Sequence, residues 1–141
     1  MSTPTRPSVL FVCVKNGGKS QMAAGLMRHR VGDSARVSSA GTQAGDKLNA
    51  QAVESLQELG IDISDQHTRR LTDDLVAAAD LVVVLGRDAQ VAPVDGTPVE
   101  VWDTDEPSER GIEGMLRMRL VRDDIAARVE ELATRLIGIA S

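Results

Sequence analysis

The chain has 141 residues, 42% hydrophobic and 26% charged, with a formal net charge of −5. These values are typical of a soluble globular protein and predict one domain over residues 1–141, and the scattered basic residues argue against a nucleic-acid partner. Apolar runs stay short of the ~18 residues that a membrane span needs, and no signal-type segment is recognisable. We therefore expect a cytoplasmic protein that does not bind membranes.

The predicted elements alternate between strands and helices. After a lead at 1–7, which we expect to be flexible, they are a strand at 8–14, a helix at 20–30, a strand at 35–40, helices at 49–59 and 72–79, strands at 80–85 and 98–102, and a helix at 113–139. Such alternation predicts an α/β fold of three layers, in which a four-stranded parallel sheet is flanked by helices on both faces. Ligands of such sheets bind at the carboxyl ends of the strands.

The only cysteine, Cys13, lies at the carboxyl end of the first predicted strand, within "VLFVCVKNGGKS". The glycine-rich turn after it directs backbone N–H groups and the positive end of a helix dipole into one concavity, which predicts an anion site. Its predicted binding residues are Val14, Lys15, Asn16, Gly17, Gly18, Lys19 and Ser20. Such surroundings favour a thiolate, so the sequence predicts a cysteine nucleophile that attacks a tetrahedral oxyanion such as phosphate or arsenate.

Two other interpretations of this turn carry less weight. One is that Cys13 is only a small buried hydrophobe near the end of a strand. A nucleotide P-loop, G-x-x-x-x-G-K-[ST], would match at 18–20 but would place Cys13 where the first glycine belongs, and Gly86 instead of an aspartate follows the strand at 80–85. His29 and His67 stand far apart with few other ligand types nearby, so we predict no metal site and no bound cofactor.

The stretch "LFVCVKNGGKSQMAAGLM" resembles the C-x-x-x-x-x-R-[ST] loop of low-molecular-weight protein tyrosine phosphatases and of the arsenate reductases built on the same fold. The resemblance continues through "SAGT" at 39–42, "DQHTRRL" at 65–71, "ADLVVVL" at 79–85 and "WDTDEP" at 102–107. It implies the fold of that family, with Cys13 as nucleophile and Lys19 in place of the family's arginine. It also implies a general acid at Glu106, which precedes proline, or at Asp105. The alternative for both carboxyl groups is a solvated acidic loop.

Three features resemble the arsenate-reductase branch. "SQMAAGLMR" follows the turn, the chain has no tyrosine to flank an aryl ester, and the segment "LGRDAQVAPVDG" lacks the two cysteines that thioredoxin-linked reductases carry there. The resemblance therefore implies the single-cysteine arsenate–mycothiol transferases. Cys13 would pass the arseno group to a small thiol co-substrate, mycothiol or else glutathione, and a mycoredoxin or glutaredoxin would then release arsenite. The alternatives are a phosphatase of small or protein phosphate esters and a non-catalytic phosphate-binding module.

Overall fold

The structure is a computed structural model that describes residues 6–137. The main elements are β1 (Ser8–Cys13), α1 (Lys19–Val31), β2 (Arg36–Gly41), α2 (Ala50–Gln57), α3 (Asp73–Ala78), β3 (Leu81–Leu85), β4 (Val99–Trp102) and α4 (Gly114–Ile137). Every predicted strand and helix is present. Residues 1–5 of the predicted lead and residues 138–139 of the last predicted helix lie outside the described residues.

The four strands form one parallel sheet in the order β2-β1-β3-β4. Alternate residues of β1 point to opposite faces, so Val9 and Phe11 pack with α1, α2 and α4, whereas Leu10 and Val12 pack with Val76 of α3. Helices thus cover both faces, and the predicted three-layer α/β fold is confirmed. No helix within residues 6–137 is long and apolar enough to cross a membrane.

Two local features near the carboxyl ends of the strands differ from the sequence prediction. The first strand ends at Cys13 and not at Val14, because the consecutive carbonyls of Cys13 and Val14 both accept hydrogen bonds from the chain after β2, at 3.0 and 2.8 Å, and the alternation of a strand is lost. A short 3-10 helix, Pro107–Arg110, interrupts the predicted acidic loop; the Glu106 side chain caps it and Gly111 ends it with φ of 79°. A single turn of this kind has no periodic pattern by which the sequence would predict it.

Helix α1 packs tightly against the chain between α2 and α3. A Cβ atom placed on Gly25 would lie 2.7 Å from Cγ2 of Ile63 and 3.1 Å from Cδ1 of Leu56. Both distances are shorter than van der Waals contact, and both neighbours are buried. The absence of a side chain at Gly25 therefore sets how closely α1 approaches the rest of the core.

We expect Gly25→Ala to lower the free energy of unfolding by about 1–3 kcal/mol, because overpacking outweighs the gain in helix propensity. Urea unfolding followed by circular dichroism measures this. The same substitution in an Ile63→Ala background should cost less, because the nearest neighbour is gone. An unchanged or more stable Gly25→Ala protein would contradict the packing account.

Candidate active site

The turn after β1 is held from outside by segment 42–49. Four carbonyl groups accept backbone hydrogen bonds: Cys13 from Thr42 (3.0 Å), Val14 from Gln43 (2.8 Å), Lys15 from Gly45 (3.0 Å) and Gly17 from Asn49 (2.7 Å). In a trans peptide the N–H points opposite to the preceding carbonyl, so the amides that follow these carbonyls face away from segment 42–49. Within residues 6–137, the N–H groups of Val14, Lys15 and Gly18 have no acceptor. The turn thus presents free donors on its inner side.

Asn16 anchors the turn from within. It is fully buried and adopts a left-handed backbone with φ of 56°, a conformation that asparagine tolerates better than most residues. Its Oδ1 accepts hydrogen bonds from the Arg69 amide at 2.9 Å and from Nε2 of Gln21 at 3.3 Å, and its Nδ2 donates to Oγ of Ser20 at 2.7 Å. The side chain therefore connects the turn to α1 and to the segment before α3.

The Cys13 sulfur has two polar neighbours. The Asn16 amide donates to Sγ at 3.3 Å, and Oγ of Ser20 lies 3.0 Å from Sγ. Because Ser20 already accepts a hydrogen bond from Asn16, its own hydroxyl hydrogen is free to point at the sulfur. Negative charge on Sγ would thus be met by two donors in a buried setting, which suits a nucleophile.

Two glycines allow the turn to pack this closely. A Cβ on Gly17 would lie 2.9 Å from the Lys47 carbonyl oxygen, and one on Gly41 would lie 2.6 Å from the Val14 carbonyl oxygen. Backbone atoms cannot move away as the end of a flexible side chain does. Gly17 belongs to the predicted site, whereas Gly41, at the end of β2, supports the turn from the neighbouring strand.

Lys19, at the first position of α1, lies beside Glu106. Its Nζ is 3.7 Å from Oε1 of Glu106, whose two oxygens also accept hydrogen bonds of 2.7 Å each from Arg117. Ser108 donates a further hydrogen bond to Glu106 through Oγ, at 2.7 Å. The Arg117 hydrogen bonds, more than those of Ser108, lower the pKa of Glu106 to about 2. Glu106 is therefore an ionised acceptor at neutral pH in this arrangement.

Asp105, the other candidate acid, is also ion-paired. Arg110 donates to its two carboxylate oxygens at 2.8 and 3.1 Å, and these hydrogen bonds lower the pKa of Asp105. Its backbone amide donates to Oδ2 of Asp124 in α4 at 2.9 Å, which ties the loop to that helix. The role of Asp105 or Glu106 as general acid stays a prediction.

The structure brings most of the predicted residues to the carboxyl ends of the strands. The Asn16 amide and the Ser20 hydroxyl lie at Sγ, and Lys19, Asp105 and Glu106 line one cavity of about 420 Å³ that is also lined by the segments after β3 and after β4. Lys15 is exposed. Among residues 6–137, no group of three or more His, Cys, Asp or Glu side chains is placed to hold a metal ion.

Sequence reasoning missed three supporting residues. Arg117 forms an ion pair with Glu106. The Gln21 side chain and the Arg69 amide both donate hydrogen bonds to Oδ1 of Asn16. Arg117 is one of many arginines on an amphipathic helix, so nothing in the sequence distinguishes it. Gln21 had a usable signal, because it is a polar residue within the otherwise apolar run of α1, where it is 1% exposed.

Comparison with known proteins places this geometry in a family. Residues 8–138 match the family model of the low molecular weight phosphotyrosine protein phosphatases. The chain belongs to this family. Its recognition from the cysteine turn and the four later motifs is confirmed.

Curated relatives within this phosphatase family include arsenate reductases. The enzyme of Shouchella clausii is 39% identical over 133 residues, which cover 89% of this chain and 94% of that protein. The enzyme of Bacillus subtilis is 38% identical over 131 residues, with coverage of 89% and 94%. The prediction of an enzyme similar to arsenate reductases is confirmed by these relatives.

Solved structures of the family superpose well. A thioredoxin-dependent arsenate reductase of Corynebacterium glutamicum has a TM-score of 0.79 at 32% identity; the match covers 93% of this chain but only 62% of that longer chain. An arsenate reductase in the phosphate binding state has a TM-score of 0.78 at 28% identity, over 92% of this chain and 98% of the other. A tyrosine phosphatase of Erwinia amylovora, at 18% identity and a TM-score of 0.79, shares the fold.

We expect Glu106 to stay ionised down to about pH 2 because of Arg117, so the stability contributed by this ion pair is present above pH 4.5 and is lost as the pH falls through about 2. Carbon-13 NMR of the Glu106 carboxyl group should show no titration between pH 8 and 4. In Arg117→Gln the pKa should rise toward 4.5.

Arg119→Gln is the matched control, because Arg119 lies on the same helix as Arg117 and makes a similar paired contact with Glu58 at the end of α2. It should raise the pKa of Glu58 and leave that of Glu106 unchanged. A Glu106 carboxyl group that titrates near pH 4.5 in the unsubstituted protein would show that the Arg117 contact does not persist in solution.

Proposed function

We propose that this chain is an arsenate reductase that transfers the arseno group from Cys13 to a thiol supplied from outside the chain. The observation that carries the proposal is the buried Cys13 sulfur in an anion-binding turn, in a chain with no second cysteine. Reduction of arsenate to arsenite takes two electrons, which two thiols supply when they join in a disulfide. At least one of those sulfurs must therefore come from a partner.

In the first step, the Cys13 sulfur attacks arsenic, a sulfur–arsenic bond forms and one arsenate oxygen leaves as water. The free amides of the turn and the Lys19 ammonium group would hold the remaining oxygens. The proton for the departing oxygen is assigned to Asp105 or Glu106, once the corresponding ion pair with Arg110 or Arg117 has opened. This step needs no metal and no bound cofactor.

In the second step, the small thiol attacks arsenic and the bond to Cys13 breaks, which frees the Cys13 thiolate and gives a thiol–arsenate adduct. A thiol of a mycoredoxin or glutaredoxin then attacks the sulfur of that adduct. A mixed disulfide forms, two electrons pass to arsenic and arsenite leaves. Mycothiol is the favoured small thiol because the chain resembles the single-cysteine arsenate–mycothiol transferases, and the reaction is assigned to the cytoplasm.

The site suits a small inorganic anion better than an aryl phosphate. The two aromatic side chains, Phe11 and Trp102, are 0% and 4% exposed and pack against each other in the core with ring centroids 5.8 Å apart. The cavity beside Lys19 is lined by two cations, five carboxylates, one threonine and one glycine and, within the described part of the chain, by no aromatic residue. No aromatic ring is thus available among residues 6–137 to flank a phosphotyrosine substrate. Hydrolysis of p-nitrophenyl phosphate measures how far a phosphatase activity is retained.

We expect arsenate turnover with mycothiol plus mycoredoxin and little turnover with thioredoxin plus its reductase. Oxidation of NADPH measures the rate, and mass spectrometry should detect a thiol–arsenic adduct. Glutathione plus glutaredoxin is run in parallel, and Cys13→Ser should be inactive with every donor. The Corynebacterium glutamicum enzyme depends on thioredoxin. Equal turnover of this chain with thioredoxin alone would contradict the proposed thiol.

We expect Lys19→Ala to lower kcat/KM for arsenate by about 10- to 100-fold, because one positive charge is lost from the oxyanion site. Lys19→Arg should keep most of the activity, since guanidinium also neutralises the anion. Lys47→Ala removes the same charge from an exposed side chain and serves as the control. Full activity of Lys19→Ala would remove Lys19 from the proposed site.

A further inference from the structure

A second cluster of positive charge lies at the outer edge of the sheet, on the side of β2 away from β1. A cavity of about 400 Å³, which we call the edge recess, is lined by Arg28 of α1, residues 37–39 of β2 and segment 66–69. None of these residues lines the cavity beside Lys19. The edge recess is therefore separate from the proposed reaction site.

Two arginines are anchored side by side in the edge recess. Arg28 donates through Nη2 to the Val37 carbonyl at 3.2 Å, and Arg69 donates through Nε to the Ser39 carbonyl at 3.4 Å. Carbonyls two residues apart on a strand point the same way and are about 6.6 Å apart. Because a guanidinium has five N–H donors, each arginine keeps most of its donors free.

The charge of this pair is not neutralised within residues 6–137. Most other arginines of the chain form ion pairs, namely Arg30, Arg87, Arg110, Arg117, Arg119, Arg122, Arg128 and Arg135. Arg28 is half-buried. Its burial, and to a smaller extent the positive charge of Arg69, lower the pKa of Arg28. The carboxylate of Asp65 raises this pKa, but it lies beyond ion-pair contact. Two like charges thus share one recess.

We propose that the edge recess binds a tetrahedral oxyanion, inorganic phosphate or arsenate, between the guanidinium groups of Arg28 and Arg69. A tetrahedral anion has oxygens on several sides, so it can accept hydrogen bonds from two guanidinium groups at once. The two carbonyl groups that hold the arginines are about 6.6 Å apart, a separation that one such anion bridges. The bound charge removes the repulsion between the two arginines. A planar carboxylate pairs with one guanidinium group and leaves the other unpaired.

The edge recess is mechanically connected to the Cys13 turn. The Arg69 amide donates to Oδ1 of Asn16 at 2.9 Å, and Nε2 of Gln21 donates to the His67 carbonyl at 3.0 Å. Segment 66–69 therefore both lines the recess and holds the buried asparagine of the turn. An anion that orders this segment should also affect the amides at 14–20. The site does not depend on the reaction proposed for Cys13.

Titration of the nitrogen-15-labelled full chain with inorganic phosphate, at constant ionic strength, tests this proposal by NMR. We expect two groups of shifting signals with different dissociation constants, one at 14–20 and one at 37–39, 66–69 and the Nε–Hε groups of Arg28 and Arg69. Arg28→Gln should raise the dissociation constant of the second group at least 10-fold. Arg36→Gln, at an exposed position of β2 outside the recess, is the control and should change neither constant.

Arg69→Gln provides the same test if Arg28→Gln does not give the spectrum of a folded protein. Arsenate and acetate are titrated in separate arms: a response of the second group to either tetrahedral anion supports the site. Equal responses to acetate or chloride overturn it. Shifts confined to 14–20, or an unchanged second constant in both arginine variants, overturn it as well, whatever the outcome of the arsenate turnover experiments.

Discussion

The buried side chain of Asn16 is the interaction on which the site depends. Its amide group joins three parts of the chain that are distant in sequence or differ in structure: the turn after β1, the start of α1 at Ser20 and the segment at Arg69. Asparagine tolerates the left-handed backbone at this position, and the hydrogen bonds of Oδ1 and Nδ2 hold it there. The orientation of the free amides, and the donor that faces Sγ, follow from that conformation.

Electrostatics organises the other side of the site. Lys19, Glu106 and Arg117 form a sequence of alternating charges in which the central carboxylate is ionised and shared between two cations. Such an arrangement positions the Lys19 ammonium group without neutralising it completely, since the Arg117 contacts at 2.7 Å are much closer than the Lys19 contact at 3.7 Å. Proton donation by Glu106 requires this arrangement to open. The same carboxylate therefore acts as a positioning group in the structure and as an acid only after rearrangement.

Predictability differed between the scaffold and the site for physical reasons. The strand at 81–85 was evident because a parallel strand buried on both faces is a continuous apolar run, and the long helix α4 because one buried face imposes a period of 3.6 over many residues. The Cys13 turn was evident because glycines, lysines and a thiol stand next to one another in sequence. The Glu106–Arg117 pair, in contrast, depends on how the 3-10 helix at 107–110 directs the chain into α4, and no periodic pattern marks that connection.

By itself, the sequence determined the available chemistry and the layered fold. A chain with one cysteine has no internal partner for a disulfide, and the alternation of apolar segments requires a sheet covered on both faces. Only the tertiary structure decided which groups meet. It places the Ser20 hydroxyl next to the Cys13 sulfur, pairs Arg117 with Glu106, and brings Arg28 and Arg69 into one recess. These contacts join residues that are separated along the chain. Their strength depends on distances of a few ångströms, which are set only when the helices and strands pack together.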